Sequence, residues 1–292
     1  MNGRQRTIFV LLFLSCLAYS WLAISWTFEE VRFIERHSPV FLSLAFVAFA
    51  SYLFLIRVGS AWKHCISAAF LFRILFLFCL PVLSDDYLRF YWDGQILAAG
   101  FNPFLGTPTE MLEAMPELKE WWQLLNSRDY YSVYPPVCQV INWLALKLGG
   151  GTLKGFVLAM KLLVLGAEVA TILLLQAILK LKELNPKLVL IYALNPLIIL
   201  EFSSSLHFEV FAILFVVAGI YFFLLNRAIL VGAMMSMAFM TKLWPLIFLP
   251  PFLIQLSWRK SLYAFSAFSV LTFLLSLPFY EPEVFGNVTE KK

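Results

Sequence analysis

Long apolar runs alternate with short polar segments along the whole chain, and most runs approach the ~20 residues that a helix needs to cross a bilayer. The pattern predicts an all-α fold, a polytopic transmembrane helix bundle that forms a single domain over residues 1–292. The predicted spans are residues 8–26, 39–56, 66–83, 156–179, 188–202, 208–225 and 262–277, with a broken or re-entrant segment at 228–256. The first run lacks a small-x-small cleavage site, which predicts an uncleaved helix.

Prolines interrupt two of the predicted membrane segments. Asn195-Pro196 interrupts the run at 188–202, and Thr241 to Pro245 breaks the run at 228–256. Each half of the second run is too short to span. This predicts a re-entrant pair with Lys242 at its apex, where irregular backbone must be buried in protein or line a cavity.

Residues 84–155 form the longest segment without a predicted span, and we expect a large loop with short interfacial helices there. Residues 109–125 are predicted to form one amphipathic helix. Residues 137–148 are apolar but too short to cross the bilayer, which predicts an interfacial or re-entrant helix. Loops of this length in compact proteins are usually functional.

Composition supports the membrane assignment and narrows the function classes. The chain is 61% hydrophobic and 17% aromatic but only 14% charged, which is typical of an integral membrane protein. The net charge of +4 is too small to indicate nucleic-acid binding, so membrane lipids are predicted partners and nucleic acid is not. The four cysteines have no metal-binding spacing.

The distribution of basic residues predicts an orientation in the membrane. Arg4 precedes the first span and Arg57 follows the second, whereas the loop between those spans carries Glu29 and Glu30. The basic ends are predicted to be cytoplasmic. The loop at 84–155 is then predicted to lie on the outer, periplasmic face of the cytoplasmic membrane.

The stretch Ser-Asp-Asp-Tyr-Leu-Arg-Phe-Tyr-Trp-Asp-Gly (84–94) concentrates the candidate chemistry. In a helix, Asp86, Arg89 and Asp93 would share one face, because they are three and four residues apart. The structural alternative is an interfacial helix whose charges neutralise one another.

Further polar residues are predicted on the same outer side, and each has a structural alternative. His207 beside Glu209 could form a loop-end ion pair, and Lys242 could extend to a lipid headgroup. Glu168 lies within a predicted span, so it needs a partner or a wet cavity. A hydrogen bond between helices is the simplest form of that partner.

Several motifs resemble, in order, the polyprenol-phosphate-sugar-dependent glycosyltransferases of the GT-C superfamily, especially bacterial membrane mannosyltransferase-like proteins. They are the stretch at 84–94 followed by Ala-Gly-Phe-Asn-Pro-Phe (99–104), Tyr-Ser-Val-Tyr-Pro-Pro-Val-Cys-Gln (131–139), Tyr-Ala-Leu-Asn-Pro-Leu-Ile-Ile-Leu-Glu (192–201), Leu-His-Phe-Glu (206–209) and Lys-Leu-Trp-Pro-Leu (242–246). Their joint occurrence is more specific to the superfamily than to any one sugar.

The resemblance implies a GT-C-like enzyme that transfers a hexose, mannose first, from a polyprenyl-phosphate donor to a lipid or glycan acceptor on the outer face. A single displacement would invert the anomeric centre. Asp86 is the predicted general base, with Asp85 and Asp93 as alternatives. The residues predicted to bind the donor phosphate or substrate are Arg89, His207, Glu209, Lys242, Tyr134 and Gln139. The three aspartates could also hold a divalent cation, Mg²⁺ or Mn²⁺, although their spacing is not that of a firm site.

Two alternatives remain at the level of sequence. A transporter or flippase would use Glu168 and Lys242 as coupling residues, although no internal repeat is visible. The resemblance also implies further helices beyond residue 292. It implies only one span before the base, whereas two additional spans are predicted here. A truncated, non-catalytic membrane protein is therefore the second alternative.

Overall fold

The computed structural model describes residues 3–28, 33–57 and 62–281, and every regular element in these ranges is a helix. The α-helices are α1 Gly3–Phe28, α2 Phe33–Leu55, α3 Trp62–Leu75, α4 Asp86–Ala98, α5 Pro108–Met111, α6 Lys119–Trp122, α7 Pro136–Leu148, α8 Leu153–Leu181, α9 Leu190–Ala193, α10 Pro196–Ser205, α11 Glu209–Leu224, α12 Ala228–Phe239, α13 Leu249–Gln255 and α14 Trp258–Ser276. Short 3₁₀-helices cover Pro116–Leu118, Pro186–Val189, Trp244–Phe248 and Leu277–Phe279. The predicted acidic loop with Glu29 and Glu30 lies outside the described residues.

Three helical segments within the described ranges are long and apolar enough to cross a membrane: Gly3–Ser25, Leu153–Leu181 and Trp258–Phe279. The pair Pro186–Ala193 and Pro196–Ser205 meets the same criterion when taken together, and it bends by 47° at its break. The prediction of an all-α membrane protein is therefore confirmed. The other predicted spans stay predictions.

Both predicted interruptions of the apolar runs are confirmed. At the first, the Asn195 side chain accepts a hydrogen bond from the N–H of Leu197 and caps α10. At the second, α12 ends at Phe239, and the chain resumes helical structure only at Trp244. Lys242 lies in this second break, as predicted.

Two sequence predictions of helix length are wrong. Residues 109–125 form short separate helical pieces instead of one helix, because Pro116 has no N–H to donate and its ring clashes with the preceding turn. The apolar run at 66–83 is not one helix either, since α3 ends at Leu75 and turns follow. Pro81 prevents helical structure from resuming near the end of that run.

The chain divides into two compact units, as far as its residues are described. The first unit comprises Met1–Ser84 and Lys161–His207, and the second comprises Asp85–Met160 and Phe208–Lys292. Helix α8 contributes its first turns to the second unit and the rest of its length to the first.

A charged pair lies inside the apolar core of the first unit. Arg73 in α3 donates hydrogen bonds from Nε and Nη2 to the two carboxylate oxygens of Glu168 in α8, both at 2.8 Å. Each side chain is 1% exposed. Arg73 Nη1 also donates to the carbonyl oxygen of Ala193 at 2.7 Å. Glu168 thus has the partner that a charge in an apolar helix requires.

Lys161 in α8 is another buried charge of the first unit, and it is 3% exposed. Its Nζ donates to the carbonyl oxygens of Phe76 at 2.7 Å and Ser203 at 2.8 Å. These carbonyls lie just after α3 and near the end of α10, where helical hydrogen bonding is incomplete. Lys161 therefore holds two helix ends together. No sequence motif marks this residue.

Close backbone contacts organise the second unit. Gly232 of α12 approaches α14 so closely that a Cβ atom on it would overlap the carbonyl oxygen of Ala264. The N–H of Val137 in α7 donates to the carbonyl of Met240 at 3.0 Å, and the Cys138 thiol donates to the carbonyl of Thr241 at 3.1 Å. These bonds fix the break that carries Lys242 against the start of α7.

Candidate functional site

Helix α4 places the charges of the 84–94 stretch, and the predicted helical spacing is confirmed. The helix begins at Asp86, where a carboxylate is favoured by the positive end of the helix dipole. Arg89 and Asp93 form an ion pair across one helical turn, with 2.8 Å between Nε and Oδ1. The three side chains therefore lie on one face, but their exposures differ.

Asp93 is buried, and both of its carboxylate oxygens accept hydrogen bonds from protein donors. The side chain is 1% exposed. Oδ1 accepts from Arg89, and Oδ2 accepts from Ser132 Oγ at 2.6 Å and from Gln139 Nε2 at 3.0 Å. A buried carboxylate is tolerated only when it is paired and hydrogen-bonded in this way.

Arg89 and Gln139 extend this set of bonds to the preceding loop. Arg89 Nη1 donates to the carbonyl oxygens of Ser127 at 3.0 Å and Tyr130 at 2.9 Å. Gln139 Nε2 also donates to the carbonyl of Tyr134 at 3.1 Å. We call Arg89, Asp93, Ser132 and Gln139 the buried network. These hydrogen bonds connect α4, α7 and the loop between residues 127 and 134 to one another.

Tyr134 contacts the buried network on one side and a group of more exposed charged residues on the other. Its ring packs edge-on against Phe90, with centroids 4.9 Å apart, and its hydroxyl donates a hydrogen bond to the Asp86 carboxylate. Burial raises the pKa of Tyr134 well above its usual range, and the charge of Asp86 and the hydrogen bond to it add to the effect. The hydroxyl therefore stays protonated and continues to donate to Asp86.

Lys242 and Glu209 form the other side of this group. Lys242 Nζ lies 2.9 Å from Glu209 Oε1, and the two side chains are 29% and 36% exposed. The same Nζ lies 5.9 Å from the centroid of the Tyr134 ring. The second oxygen of Glu209, Oε2, is buried and has no hydrogen-bond partner among the described residues. We call Asp86, Tyr134, Glu209 and Lys242 the open cluster.

Asp85 and His207 have other surroundings. The Asp85 carboxylate, half-buried directly before α4, accepts a hydrogen bond from Nδ2 of the exposed Asn126 at 2.8 Å. His207 belongs to the first unit, where its Nδ1 lies 2.6 Å from Glu201 Oε1. The alternative of a loop-end ion pair between His207 and Glu209 stays a prediction from the sequence.

The three aspartates of the 84–94 stretch do not form a preassembled metal site. Within residues 3–28, 33–57 and 62–281, no three His, Cys, Asp or Glu side chains come together as a ligand group. Asp93 uses both oxygens on protein donors, and Asp85 bonds to Asn126. The suggestion of a divalent cation stays a prediction from the sequence.

Ser132 is the member of the buried network that sequence reasoning missed. It lies in the Tyr131–Tyr134 part of a quoted motif, but a serine between aromatic residues has no signal of its own. Its role depends on a bond to Asp93, which is 39 residues away along the chain. Such a contact is visible only after folding.

Comparison with known protein families identifies a matching family. The family model for the N-terminal domain of alpha-(1→6)-mannopyranosyltransferases matches residues 9–258, which is most of the 292-residue chain. No curated protein and no solved structure matches the chain. The matched range includes every residue of the open cluster and of the buried network.

Proposed function

The chain belongs to the alpha-(1→6)-mannopyranosyltransferase family and is a membrane glycosyltransferase, and from this premise we propose that Asp86 is the general base of sugar transfer. In the proposed reaction, mannose moves from a polyprenyl-phosphate donor to a hydroxyl of a lipid or glycan acceptor. The alpha-(1→6) linkage in the family's name is the linkage we propose for the product.

The observation that carries the proposal is the contrast between two carboxylates on one helix. Asp93 is enclosed and uses both oxygens on protein donors, so it has no free acceptor for a substrate proton. Asp86 is half-buried at the start of α4 and is held by the Tyr134 hydroxyl. A base must reach the proton it removes, which favours Asp86.

The proposed step is a single displacement. The acceptor oxygen attacks the anomeric carbon of the mannose while the bond from that carbon to the phosphate oxygen breaks. The acceptor proton passes to a carboxylate oxygen of Asp86. The electron pair of the broken bond stays on the lipid phosphate, and the anomeric centre inverts.

Lys242 is the proposed contact for the departing phosphate. It is a partly exposed ammonium that keeps donors free after its bond to Glu209, and positive charge stabilises the anion that develops on the leaving group. We propose that Glu209, whose Oε1 lies 2.9 Å from Lys242 Nζ, keeps that ammonium directed toward the phosphate. Arg89 and Gln139 are positioning residues here, because their donors already hold the loop that carries Tyr134.

The outer, periplasmic face is part of the proposal and is supported by the basic residues around Arg4 and Arg57. In a cysteine-free background, Tyr130→Cys should react with a membrane-impermeant thiol reagent in intact cells, since Tyr130 is 70% exposed. Lys182→Cys should react only after the cells are opened. The reverse labelling pattern would overturn this orientation.

The central experiment is the substitution Asp86→Asn in the full chain. Transfer of mannose from a polyprenyl-phosphate donor is measured in membranes that contain equal amounts of each variant. We expect a loss of roughly 10²–10⁴ in rate, because the amide cannot accept the hydroxyl proton. Donor binding and the unfolding temperature should change little. Activity within a few-fold of the wild type would rule out Asp86 as the base.

A further inference from the structure

A cleft in the second unit has no part in the proposed reaction and lies where α12 and α14 begin. It has a volume of about 400 Å³, which is within the roughly 300–1,000 Å³ of typical small-molecule sites. Arg227, Lys260 and Tyr263 supply its polar walls, and Ile229 and Leu230 supply apolar ones. The cleft can therefore hold a group of the size of a lipid headgroup.

The cleft carries positive charge that the protein does not compensate. The sequence contains no Asp or Glu between Val210 and Tyr280. No carboxylate lines the cleft, and neither Arg227 nor Lys260 has an ion-pair partner in the part of the chain that the structure describes. Two cations that share one cleft without a counter-charge favour a bound anion.

The residues around the cleft are typical of the boundary between a membrane and water. Lys260 and Tyr263 lie in the first turns of a segment that is long and apolar enough to span. Trp258 is 72% exposed, and the centroid of its indole ring lies 5.3 Å from the guanidinium carbon of Arg259. Tryptophan, tyrosine and basic residues together mark the headgroup level of a bilayer. Ile229, which is 61% exposed, can contact acyl chains from there.

We propose that this cleft binds a phosphate group and that the phosphate belongs to the headgroup of an anionic phospholipid. Arg227 and Lys260 pair with the phosphate oxygens, and the Tyr263 hydroxyl donates a further hydrogen bond. The two cations discriminate by net charge. A phosphatidylcholine headgroup brings its own compensating cation and is bound less well than phosphatidylglycerol.

The test uses the full chain, purified in detergent and titrated with phosphatidylglycerol or phosphatidylcholine, with bound lipid measured by native mass spectrometry. The wild type should prefer phosphatidylglycerol. The double variant Arg227→Gln/Lys260→Gln should weaken that binding roughly tenfold or more, since two basic contacts are lost. Arg259→Gln is the matched control, because it removes one charge next to the cleft but outside its lining.

A charge-conserving variant, Arg227→Lys/Lys260→Arg, separates loss of binding from loss of folding and should keep the preference. Inorganic phosphate is the second ligand and is added at an ionic strength matched with chloride. If phosphate displaces phosphatidylglycerol and chloride does not, free phosphate is a ligand of the same cleft. If the two salts reduce phosphatidylglycerol binding equally, the site is assigned to the lipid. The proposal is overturned if the double variant keeps the preference, or if Arg259→Gln weakens it equally.

Discussion

The two units contain similar charged residues but use their hydrogen-bonding capacity differently. In the first unit, Arg73 and Glu168 are almost completely buried, and both oxygens of Glu168 accept from Arg73. In the second unit, Lys242 and Glu209 are about one-third exposed, and one oxygen of Glu209 has no hydrogen-bond partner among the described residues. A charged pair in an apolar chain therefore does not indicate a reactive site by itself. A reactive site is indicated by charged groups that are partly exposed and can still form hydrogen bonds with a substrate.

Burial also separates the two carboxylates of α4. Asp93 resembles Glu168, because the protein fills both of its oxygens, whereas Asp86 lies half-buried in the open cluster. Substitutions in the filled sets should therefore act on stability. Substitutions in the open cluster should act on transfer.

The largest effect is expected from Glu168→Ala in the first unit. Removing the carboxylate leaves the Arg73 guanidinium buried without its counter-charge, which typically costs about 3–5 kcal/mol. The fraction of protein that survives thermal challenge in detergent, read by size-exclusion chromatography, should fall sharply. The double variant Arg73→Met/Glu168→Met should recover most of the loss. A single variant as stable as the wild type would contradict the role assigned to this pair.

Asp93→Asn should destabilise the second unit by a smaller amount. The amide offers one acceptor oxygen where three donors now meet the carboxylate, so we expect a loss of about 1.5–3 kcal/mol. Tryptophan fluorescence during thermal unfolding measures this loss. Weak residual transfer should remain, because Asp93 positions the loop and does not take the proton. Equal unfolding temperatures for Asp93→Asn and Asp86→Asn would remove the contrast between the two carboxylates.

Lys242→Met should affect the donor more than the acceptor. The side chain is 29% exposed, so its loss costs little stability, but the donor phosphate loses a charged hydrogen bond. Such a bond contributes ~1.5–3 kcal/mol, which corresponds to roughly a tenfold to hundredfold rise in the KM for the polyprenyl-phosphate donor. Steady-state kinetics with each substrate varied in turn tests this. An equal change in both KM values would place Lys242 away from the phosphate.

Local features of the fold were predictable, and contacts over long sequence distances were not. The helical spacing of Asp86, Arg89 and Asp93, the break at Lys242 and the membership in a mannosyltransferase family are confirmed. The GT-C superfamily, the lipid-linked donor and the face of the membrane stay predictions. The end of α3 at Leu75 was missed, because apolar periodicity continues after it. Lys161, which bonds to carbonyls near that end, is 85 residues away from Phe76 in sequence.

The site showed the same limit. Sequence spacing gave the shared face of α4, but it could not rank Asp86 against Asp93, because Ser132 and Gln139 reach Asp93 from 39 and 46 residues away. Burial and the number of donors around each oxygen were the missing information.

The smallest effect is expected from Asp85→Asn, which differs from Asp86→Asn by one position in the chain. Asp85 is half-buried like Asp86, but its carboxylate bonds to the exposed Asn126 outside the open cluster, and substitutions near the surface usually change stability by less than ~0.5 kcal/mol. Transfer should stay within a few-fold of the wild type, and the unfolding temperature should not move. The pair of variants is a stringent test because size, charge change and helix end are matched. If Asp85→Asn abolishes transfer while Asp86→Asn does not, the base is the neighbouring Asp85, and the Tyr134 hydrogen bond to Asp86 is a structural contact.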